Sequence, residues 1–553
     1  MAESDLRGPP MTLPTPAEDL ILGLTHIIGL PGLTEAAGTP LAAADIAALI
    51  EEAARFTSEK MAPGSQEADR HGARYANGTI TLPPHYGRLM QDWIASGWQG
   101  VAAPVEHGGQ GLPHALWVAV TELASAADMA FFLGPVLTAG AIDLLVGHAT
   151  PDQAARWLPK LVSGAWTGTM CLTEPQAGSD LAALRTRAEP LGEGRYSLHG
   201  QKIYITWGEH DLTENILHLV LARLPAAPEG SRGISLFAAP RITASGQHNA
   251  LRCGGIERKL GIHASPTCTM LFEGAEAELV GEPGRGLNAM FAMMNAARLA
   301  VGVQGVGQGA RALALAETFA AQRVQNGRPI ALHADVARML AEMRAVTLAG
   351  RLLALEAAAA LDAHHLLGDE QDATRLALLT PIVKAWCTDR GFETANTGIQ
   401  VHGGMGFVEE TGAAQILRDA RIAPIYEGTN GIQAIDLLVR KVTRDEGDAM
   451  RVLLAEVSAT DRRLAPAAER LGDVTEILLG LQARDPDRAQ SLAAPYLDAC
   501  GWLLGGWMLA RAAAAAPDRA ALAAFYLARL LPRAEARCLE IEQGALVPVP
   551  SVL

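Results

Sequence analysis

The feature that most constrains the fold is a change in the spacing of apolar residues, which occurs twice along the chain. From Ala42 to about Gly168, and again after VGEPGRG (280–286), apolar residues recur every three or four positions, as in amphipathic helices. The intervening segment has short runs rich in Ile, Val, Leu and aromatic residues, such as RYSLHGQKIYIT and NILHLVLARL, separated by Gly, Pro and Asn. Such runs indicate the strands of a small barrel or sandwich. The chain is therefore predicted to be mostly α-helical, with a central β domain.

These changes of period divide the 553 residues into five predicted segments. Composition supports the helical majority, because aromatic residues make up only 5% of the chain and alanine-rich stretches are frequent. The helices after the β domain are expected to form an antiparallel bundle, in which Pro381 kinks or starts one helix. The Gly, Pro and Thr content of the first segment predicts irregular structure. The predicted segments are an N-terminal arm (1–41), a helical domain (42–168), a β-barrel domain (169–282), a helical bundle (283–445) and a C-terminal helical extension (446–553).

Charge and composition exclude several classes of protein. The formal net charge of −15 argues against a protein that binds nucleic acids or anionic membranes through Lys and Arg. From Glu446 onward, 14 acidic residues stand against 11 arginines and no lysine, a net charge of −3, so the extension is expected to be a packing or assembly module. No basic and apolar leader and no run of about 20 uncharged apolar residues occurs. Six cysteines without a CxxC pair indicate reduced thiols. Together these features predict a cytoplasmic protein.

Motif spacing also excludes familiar sites. The glycines of GVQGVGQG (302–309) lack the GxGxxG spacing of a Rossmann loop and follow a helical pattern, so we interpret them as contacts between closely spaced helices. HGGMG (402–406) is similar to the oxyanion loop of lipase-like hydrolases, but the chain has no GxSxG elbow. It also has no P-loop and no HExxH or paired Cys/His set for zinc. No metal site is predicted.

Two other segments have both a structural and a functional interpretation. CLTEPQAGSD (171–180) ends a strand and turns at Pro175 and Gly178. It is either a capped turn or a set of N–H groups and hydroxyls that face an anionic ligand. In RIAPIYEGTNGIQAID (421–436), Glu427 follows an apolar run and precedes a helical pattern that starts at Ile432. Glu427 is either an ordinary loop carboxylate or a base held close to a reacting carbon.

Five segments in this order resemble the signature sequences of the acyl-CoA dehydrogenase family: MCLTEPQAGSD, QKIYIT, RPI, QVHGGMGF and YEGTNGIQ. The resemblance extends from about residue 45 to 445. It implies an N-terminal helical domain, a small β-barrel and a C-terminal four-helix bundle. The extension, KLGIHASPT and MMNAARLAVGVQG also resemble a large bacterial branch of this family, which includes 3-methylmercaptopropionyl-CoA dehydrogenases.

The resemblance implies FAD, bound without a covalent bond between the β domain and the bundle, with part of the site supplied by a second subunit. By position, Leu172, Thr173 and Ser179 are expected to line the flavin and the adjacent pantetheine, so Ser179 also contacts substrate. Tyr204 and Thr206 are expected to lie against the isoalloxazine ring, and Tyr204 stands where many relatives have Trp.

The remaining implied cofactor residues follow the β domain. Arg323 is expected to hold the FAD pyrophosphate of a neighbouring subunit, a task that suits a planar cation. Gln400, Gly403 and Gly404 are expected to lie close to the adenosine part, and Thr429 is expected to touch the flavin.

For the substrate, the resemblance implies that Glu427 is the catalytic base and that Gly428, Asn295 and Arg298 contact the acyl-CoA. Asn295 stands where several relatives have Asp. Some relatives carry the base at the position of Ala297, which cannot serve, so the role falls on Glu427.

The implied reaction converts a short to medium or thioether acyl-CoA into a trans-2-enoyl-CoA, as in β-oxidation. FAD takes up the β-hydrogen, and an electron-transfer flavoprotein then receives the electrons. The expected assembly is a homo-oligomer, either a dimer or a dimer of dimers, without nucleic-acid or membrane partners. Two alternatives remain on the same fold: an acyl-CoA oxidase, and a non-dehydrogenating flavoprotein of the DNA-associated adaptive-response type.

Overall fold

The computed structural model describes residues 15–547, which form two compact units. The helical unit comprises residues 15–59, 114–127 and 298–547, and the sheet unit comprises residues 60–113 and 128–297. The α-helices are α1 (Ala17–Leu22), α2 (Leu30–Ala36), α3 (Ala43–Phe56), α4 (Ala62–His71), α5 (Tyr86–Ala95), α6 (His114–His148), α7 (Pro151–Val162), α8 (Gly286–Gln322), α9 (Ala334–Leu367), α10 (Glu370–His402), α11 (Ala413–Ala420), α12 (Asn430–Ile435), α13 (Asp448–Thr460), α14 (Ala465–Arg484), α15 (Pro486–Ser491), α16 (Ala493–Ala515), α17 (Ala520–Arg529) and α18 (Pro532–Gly544).

The predicted β-barrel is confirmed in the sheet unit. Seven strands pair in the order β3-β6-β4-β5-β9-β7, β8 pairs with β9, and a further pairing of β6 with β7 closes a ring of five strands. β6 is buried along nearly its whole length, and its residues Leu217, Leu219 and Leu221 belong to a hydrophobic core cluster of this unit. The strands are β1 (Arg74–Ala76), β2 (Thr79–Thr81), β3 (Trp166–Cys171), β4 (Arg187–Gly192), β5 (Arg195–Thr206), β6 (Asn215–Arg223), β7 (Ile234–Pro240), β8 (Leu251–Ile256), β9 (Thr267–Val280), β10 (Val324–Gln325) and β11 (Arg328–Pro329).

The glycines of α8 confirm the interpretation that small residues let helices approach closely. A Cβ atom added at Gly302 would lie 2.8 Å from the carbonyl oxygen of Val383, and one added at Gly305 would lie 2.6 Å from that of Cys387. Both carbonyls belong to α10, so backbone meets backbone at this crossing. Pro381 lies inside α10, which begins at Glu370, so the prediction that it starts a helix is wrong.

Among the described residues, α6 and α8 are long and apolar enough to cross a membrane by length and composition alone. Their most apolar 18-residue windows have mean hydropathies of 1.9 and 1.2, and 78% and 67% of these windows is buried inside the protein. A helix that is apolar on all sides and buried is typical of the core of a large protein.

The N-terminal arm is not irregular where the structure describes it, so that prediction is wrong for residues 15–41; residues 1–14 lie outside the described part. α1 and α2 form here, and Pro31 stands in the first turn of α2, where a missing N–H group costs nothing. A Cβ atom at Gly23 would lie 2.6 Å from a methyl carbon of Leu355, so Gly23 packs closely against α9. The glycine and proline signals therefore reflect packing and a helix start.

The hairpin of β1 and β2, which interrupts the predicted helical segment 42–168, was not predicted. Its turn is Asn77-Gly78, with φ of +53° and +81°. Asn-Gly is the preferred pair for a two-residue turn in which both residues have positive φ, so a local signal was present.

The extension is helical, as predicted, and it packs against α10. Trp386 of α10 is fully buried, and a Cβ atom at Gly501 of α16 would lie 2.2 Å from its ring. Trp502 meets Trp386 edge to face at 5.5 Å, and the guanidinium groups of Arg390 and Arg533 lie 4.6 and 4.8 Å from the Trp502 ring centre. Aromatic and cation–π contacts each contribute about 0.5–2 kcal/mol beyond area burial. The predicted packing role of the extension is confirmed within the helical unit.

Candidate active site

Glu427 lies in a tight turn before α12. Glu427 and Gly428 both have positive φ, +56° and +87°, and the left-handed conformation of a glutamate costs on the order of 1–3 kcal/mol. The turn is closed by the N–H of Asn430, which donates to the carbonyl of Pro424 at 3.0 Å. The side-chain amide of Gln433 donates to the carbonyls of Glu427 and Gly428 at 3.3 and 3.4 Å. Surrounding hydrogen bonds thus maintain a strained backbone, as is common at functional sites.

The environment of the Glu427 carboxyl makes it an unusually good base for a glutamate. Burial raises the pKa of Glu427 from 4.5 to about 7, and the nearby positive charges of Arg298 and Lys384 oppose this rise. A carboxyl with a pKa close to neutral can take up a proton and is still ionised in part at physiological pH. α12 begins at Asn430, two residues earlier than the sequence indicated, and the hydroxyl of Thr429 accepts from the N–H of Ile432 at its start.

Positively charged groups surround this turn in the helical unit. Arg298 of α8 is buried, and its Nη1 atom lies 3.6 Å from a carboxylate oxygen of Asp436. Lys384 of α10 is fully buried, and its Nζ atom donates to the Oδ1 atom of Asn430 at 2.9 Å. The structure therefore brings Glu427, Gly428, Thr429 and Arg298 together. Lys384 was not predicted as a site residue, because its only signal is a lone lysine in the apolar run TPIVKAWC.

A second group of predicted residues lies elsewhere in the helical unit. The exposed guanidinium of Arg323 lies 5.2 Å from the ring centre of Phe319, and Phe319 stacks on His402 at 4.5 Å. His402 directly precedes Gly403 and Gly404, where an added Cβ atom at either position would meet nothing within 4 Å. Phe319 and His402 thus connect the predicted pyrophosphate residue to the predicted adenosine loop. Gln400 is exposed in the last turn of α10.

In the sheet unit, the predicted flavin residues belong to two segments that are tied together. Buried Lys202 donates from Nζ to the carbonyl of Leu172 at 2.9 Å and to Glu174 Oε1 at 2.8 Å. The N–H of Ile203 donates to the carbonyl of Thr173 at 2.9 Å. These bonds join the chain after β3, with Leu172 and Thr173, to the end of β5, which carries the other two predicted flavin residues.

Tyr204 and Thr206 lie at an irregular part of β5. The pairing with β9 shifts register between Lys202 and Ile205, and Tyr204 has a φ of +60°. A β-bulge of this kind redirects a side chain, and the Tyr204 ring is 60% exposed in the chain. A large exposed aromatic ring on a constrained backbone suits a planar ligand.

Glu174 fixes this region and was not identified from the sequence. Its carboxylate accepts hydrogen bonds from the backbone N–H groups of Arg185 and Thr186 at 2.7 and 3.0 Å, in addition to Lys202. Burial opposes ionisation, but the charge and hydrogen bond of Lys202 and the other donors outweigh it and lower the pKa of Glu174 to about 2. Its signal in the sequence was its place in LTEP, before a proline.

Two further predicted residues of the sheet unit are exposed. Ser179 lies just before a short 3₁₀ turn, Leu181–Ala183, in which the carboxylate of Asp180 accepts from the N–H of Ala182 at 3.0 Å. This is the capped turn of the structural interpretation, and it leaves the Ser179 side chain exposed. Asn295 is exposed on α8.

These groups fit the parts of FAD. The exposed Tyr204 ring suits the isoalloxazine system, and the exposed Arg323 guanidinium suits a pyrophosphate. The absence of side chains at Gly403 and Gly404 leaves open space beside the backbone, as the close approach of a nucleotide requires. The donor set is therefore chemically suitable for this cofactor.

Family models match nearly the whole chain. Those of the acyl-CoA dehydrogenase N-terminal, middle and C-terminal domains match residues 44–165, 169–275 and 284–441. A fourth model, described as acetyl-CoA dehydrogenase C-terminal like, matches residues 438–548.

Similar proteins agree with these matches. The chain is 45% identical to 3-methylmercaptopropionyl-CoA dehydrogenase of Ruegeria pomeroyi over 92% of each chain. It is 31% identical to a butyryl-CoA dehydrogenase of Syntrophomonas wolfei over 88% of this chain and 85% of the other. The crystal structure of Caenorhabditis elegans ACDH-11 in complex with C11-CoA matches with a TM-score of 0.81 and 23% identity, covering 96% of this chain and 94% of that one. At this identity the structural match shows the fold.

Proposed function

The chain belongs to the acyl-CoA dehydrogenase family, an FAD-dependent family of enzymes, and from that premise we propose that Glu427 removes the α-proton of an acyl-CoA thioester to give a trans-2-enoyl-CoA. The observation that carries this proposal is the strained turn that presents Glu427, together with the burial that raises its pKa to about 7. A weakly acidic C–H group requires a base of this kind.

We propose that two sets of residues hold the cofactor. Leu172, Thr173, Tyr204 and Thr206 bind the flavin ring, with Thr429 beside it. Arg323 binds the pyrophosphate of FAD in a partner subunit, and Gln400, Gly403 and Gly404 lie close to the adenosine part. The clustering of Arg323, Phe319 and His402 supports the second assignment.

The proposed reaction breaks two C–H bonds and forms one C=C bond. Glu427 takes the α-hydrogen as a proton, and its backbone N–H donates to the thioester oxygen, which gains negative charge as the proton leaves. FAD supplies the acceptor for the β-hydrogen and its electron pair. Arg298 and Lys384 stabilise the ionised carboxylate before the proton is taken up. Ser179, Gly428, Asn295 and Arg298 contact the acyl-CoA.

For the substrate we propose a short to medium or thioether acyl chain, because the Ruegeria pomeroyi relative acts on 3-methylmercaptopropionyl-CoA. We propose a cytoplasmic location and an electron-transfer flavoprotein as the acceptor. Enclosure by bound product would slow the reaction of reduced cofactor with oxygen.

The experiment is anaerobic mixing of the holoenzyme with butyryl-CoA, octanoyl-CoA and 3-methylmercaptopropionyl-CoA, while the yellow flavin absorbance is followed. Bleaching with at least one of them supports the proposal, and its absence with all three contradicts it. A second assay compares oxygen alone with an electron-transfer flavoprotein. Full turnover with oxygen and stoichiometric peroxide would make the protein an acyl-CoA oxidase instead.

A further inference from the structure

Lys384 is a buried cation that the proposed reaction uses only through its charge. It lies in the middle of α10 and its side chain is fully buried. Lysine is almost never fully buried unless it is paired. Its hydrogen-bond acceptor, Asn430 Oδ1 at 2.9 Å, is a neutral amide, so the bond itself does not neutralise the charge.

Asn430 connects Lys384 to the turn that carries Glu427. Its side-chain Nδ2 group donates to Asp389 Oδ1 at 2.8 Å and to Thr388 Oγ1 at 3.1 Å, both on α10. Its backbone N–H closes the turn through the carbonyl of Pro424. A single asparagine therefore joins the catalytic turn to α10 through its side chain and closes the turn through its backbone N–H.

Several charged groups change the pKa values of Lys384 and Glu427. Desolvation lowers the pKa of Lys384 to about 7, Glu427 and Asp389 raise it, and Arg298 lowers it further. Because burial raises the pKa of Glu427 to about 7 as well, the two groups titrate over the same pH range and influence one another. The titratable and charged groups around them are Arg298 on α8, Asp389 on α10, Tyr426 in the turn, and Asp436 and Arg440 after α12.

We propose that Lys384 is a positioning residue for the reaction: through Asn430 it holds the turn that carries Glu427, and its positive charge favours the ionised carboxylate of Glu427. This inference rests on the proposed role of Glu427 as the base. A purely structural Lys384 would hold the turn in place but would leave the proton affinity of Glu427 unchanged. The pH dependence of proton removal distinguishes these two roles.

The sign of the effect follows from the chemistry of a base. Glu427 acts in its ionised form, so the rate of flavin reduction rises with pH through the pKa of Glu427. Loss of the positive charge at Lys384 removes a neighbour that favours the ionised form, so this pKa rises. The acid limb of the profile then moves to higher pH by about one unit or more. At pH values below the limb, a one-unit shift lowers the rate about tenfold, and at high pH the two rates converge.

The experiment measures the anaerobic rate of flavin bleaching against pH, with the acyl-CoA that reduces the wild-type holoenzyme fastest. The variants are Lys384→Met, which removes the charge at similar length, and Lys384→Arg, which keeps it. Lys441→Met is the matched control, because Lys441 belongs to the same unit and is partly exposed. An α-deuterated substrate confirms that the measured step is proton removal. FAD content and the unfolding midpoint report on the fold.

The inference predicts an upward shift of the acid limb for Lys384→Met, little or no upward shift for Lys384→Arg, and no change for Lys441→Met. If Lys384→Met does not accumulate as folded holoenzyme, Lys384→Gln carries the same test, since it also removes the charge but keeps a polar donor. A folded, uncharged variant with the wild-type limb overturns the inference, as does an equal upward shift in Lys384→Arg. Bleaching that persists in Glu427→Gln would instead overturn the proposed base, whatever Lys384 does.

Discussion

At the scale of single residues, the molecule concentrates its chemistry in one glutamate with an unfavourable backbone and an unfavourable environment for charge. Glu427 has positive φ and a pKa raised by burial to about 7. Either feature alone would be a cost to stability. Together they hold a carboxylate of raised pKa in one orientation. This combination distinguishes Glu427 from an ordinary loop carboxylate.

The first prediction concerns the removal of this base. Glu427→Gln keeps the size and hydrogen-bonding capacity of the side chain but removes its proton affinity. We expect the variant to fold, retain FAD and bind acyl-CoA, while the flavin-bleaching rate falls by about 10²–10⁴-fold, the usual effect of losing a general base. Stopped-flow absorbance measures this rate.

The matched control is Glu446→Gln. Glu446 also has positive φ, +57°, but its side chain is exposed and follows α12, outside the turn of Glu427. We expect the wild-type bleaching rate for this variant. A rate above about a tenth of wild type in Glu427→Gln would lie outside the range for loss of a general base and would assign the role to another group.

The second prediction concerns pH. Since Glu427 must be ionised to act, the wild-type bleaching rate should rise with pH and level off above about 7, the pKa that burial produces. An unperturbed glutamate would give a rise near 4.5. A pH-independent rate between about 5.5 and 8.5 would show that the environment of Glu427 does not control proton removal.

At the scale of secondary-structure elements, two strands of the sheet unit depend on one buried ion pair. Lys202 and Glu174 join the end of β3 to the end of β5, and both side chains are buried. The charge of Lys202 stabilises the ionised, buried carboxylate of Glu174. The backbone N–H groups of Arg185 and Thr186 donate further hydrogen bonds to this carboxylate. The ion pair is thus one anchor of the segments with the proposed flavin residues, beside the hydrogen bond from the N–H of Ile203 to the carbonyl of Thr173.

The third prediction tests this anchor. Lys202→Met leaves the Glu174 carboxylate buried without its counter-charge, which typically costs about 3–5 kcal/mol. We expect the free energy of unfolding of the holoenzyme to fall by about that amount, with a loss of FAD. Denaturant unfolding followed by circular dichroism and flavin fluorescence provides the two measurements.

An exposed ion pair of the same unit provides the control. Arg252 and Glu273 pair at 2.9 Å on β8 and β9, with side chains 57% and 56% exposed. Arg252→Met should leave the stability close to that of the wild type, because water and salt screen surface pairs. Equal changes in the free energy of unfolding for the two substitutions would show that burial does not increase the contribution of the Lys202–Glu174 pair.

The secondary-structure elements also show how much of the fold and of the candidate site the sequence could predict. The long apolar, alanine-rich run of α8 and the short, spaced apolar runs of the barrel were sufficient to predict both, because the length and composition of a run distinguish a buried helix from a strand. The positive φ of Tyr204 could not be predicted, because it occurs where the pairing of β5 with β9, a strand distant in the chain, shifts register. The positive φ of Glu427 belongs to a turn that Asn430 joins to the distant helix α10. The role of Lys384 was equally hidden, because it depends on Asn430, which is 46 residues away in the chain.

At the scale of the whole molecule, the cluster of Arg323, Phe319 and His402 belongs to the surface that we propose to contact a partner subunit. Arg323 is exposed, and Phe407, close in sequence to Gly403 and Gly404, is 87% exposed. A guanidinium group can bind a phosphate group through two parallel hydrogen bonds. The proposed homodimer or dimer of dimers would supply that group as FAD bound to the partner.

The fourth prediction follows from this arrangement. Arg323→Ala should lower FAD retention during gel filtration without changing the circular dichroism spectrum, while the wild type elutes as a dimer or a tetramer in light scattering. Arg338→Ala is the control, because Arg338 is also partly exposed but pairs with Asp335 and Glu342 on its own helix. A wild-type monomer that retains all its FAD at nanomolar concentration would contradict the shared site.

The contacts on two sides of α10 limit how this chain could be shortened. Lys384 and Asp389 on this helix hold the catalytic turn, while Trp386 lies between them in sequence and is buried by the extension. Removal of the extension from this chain would therefore expose Trp386 to solvent. A shortened descendant would first have to replace Trp386 and the apolar residues around it with polar ones, on the same turns of helix that must keep Lys384 and Asp389 in position. In this chain, the extension and the catalytic turn thus depend on the same stretch of α10.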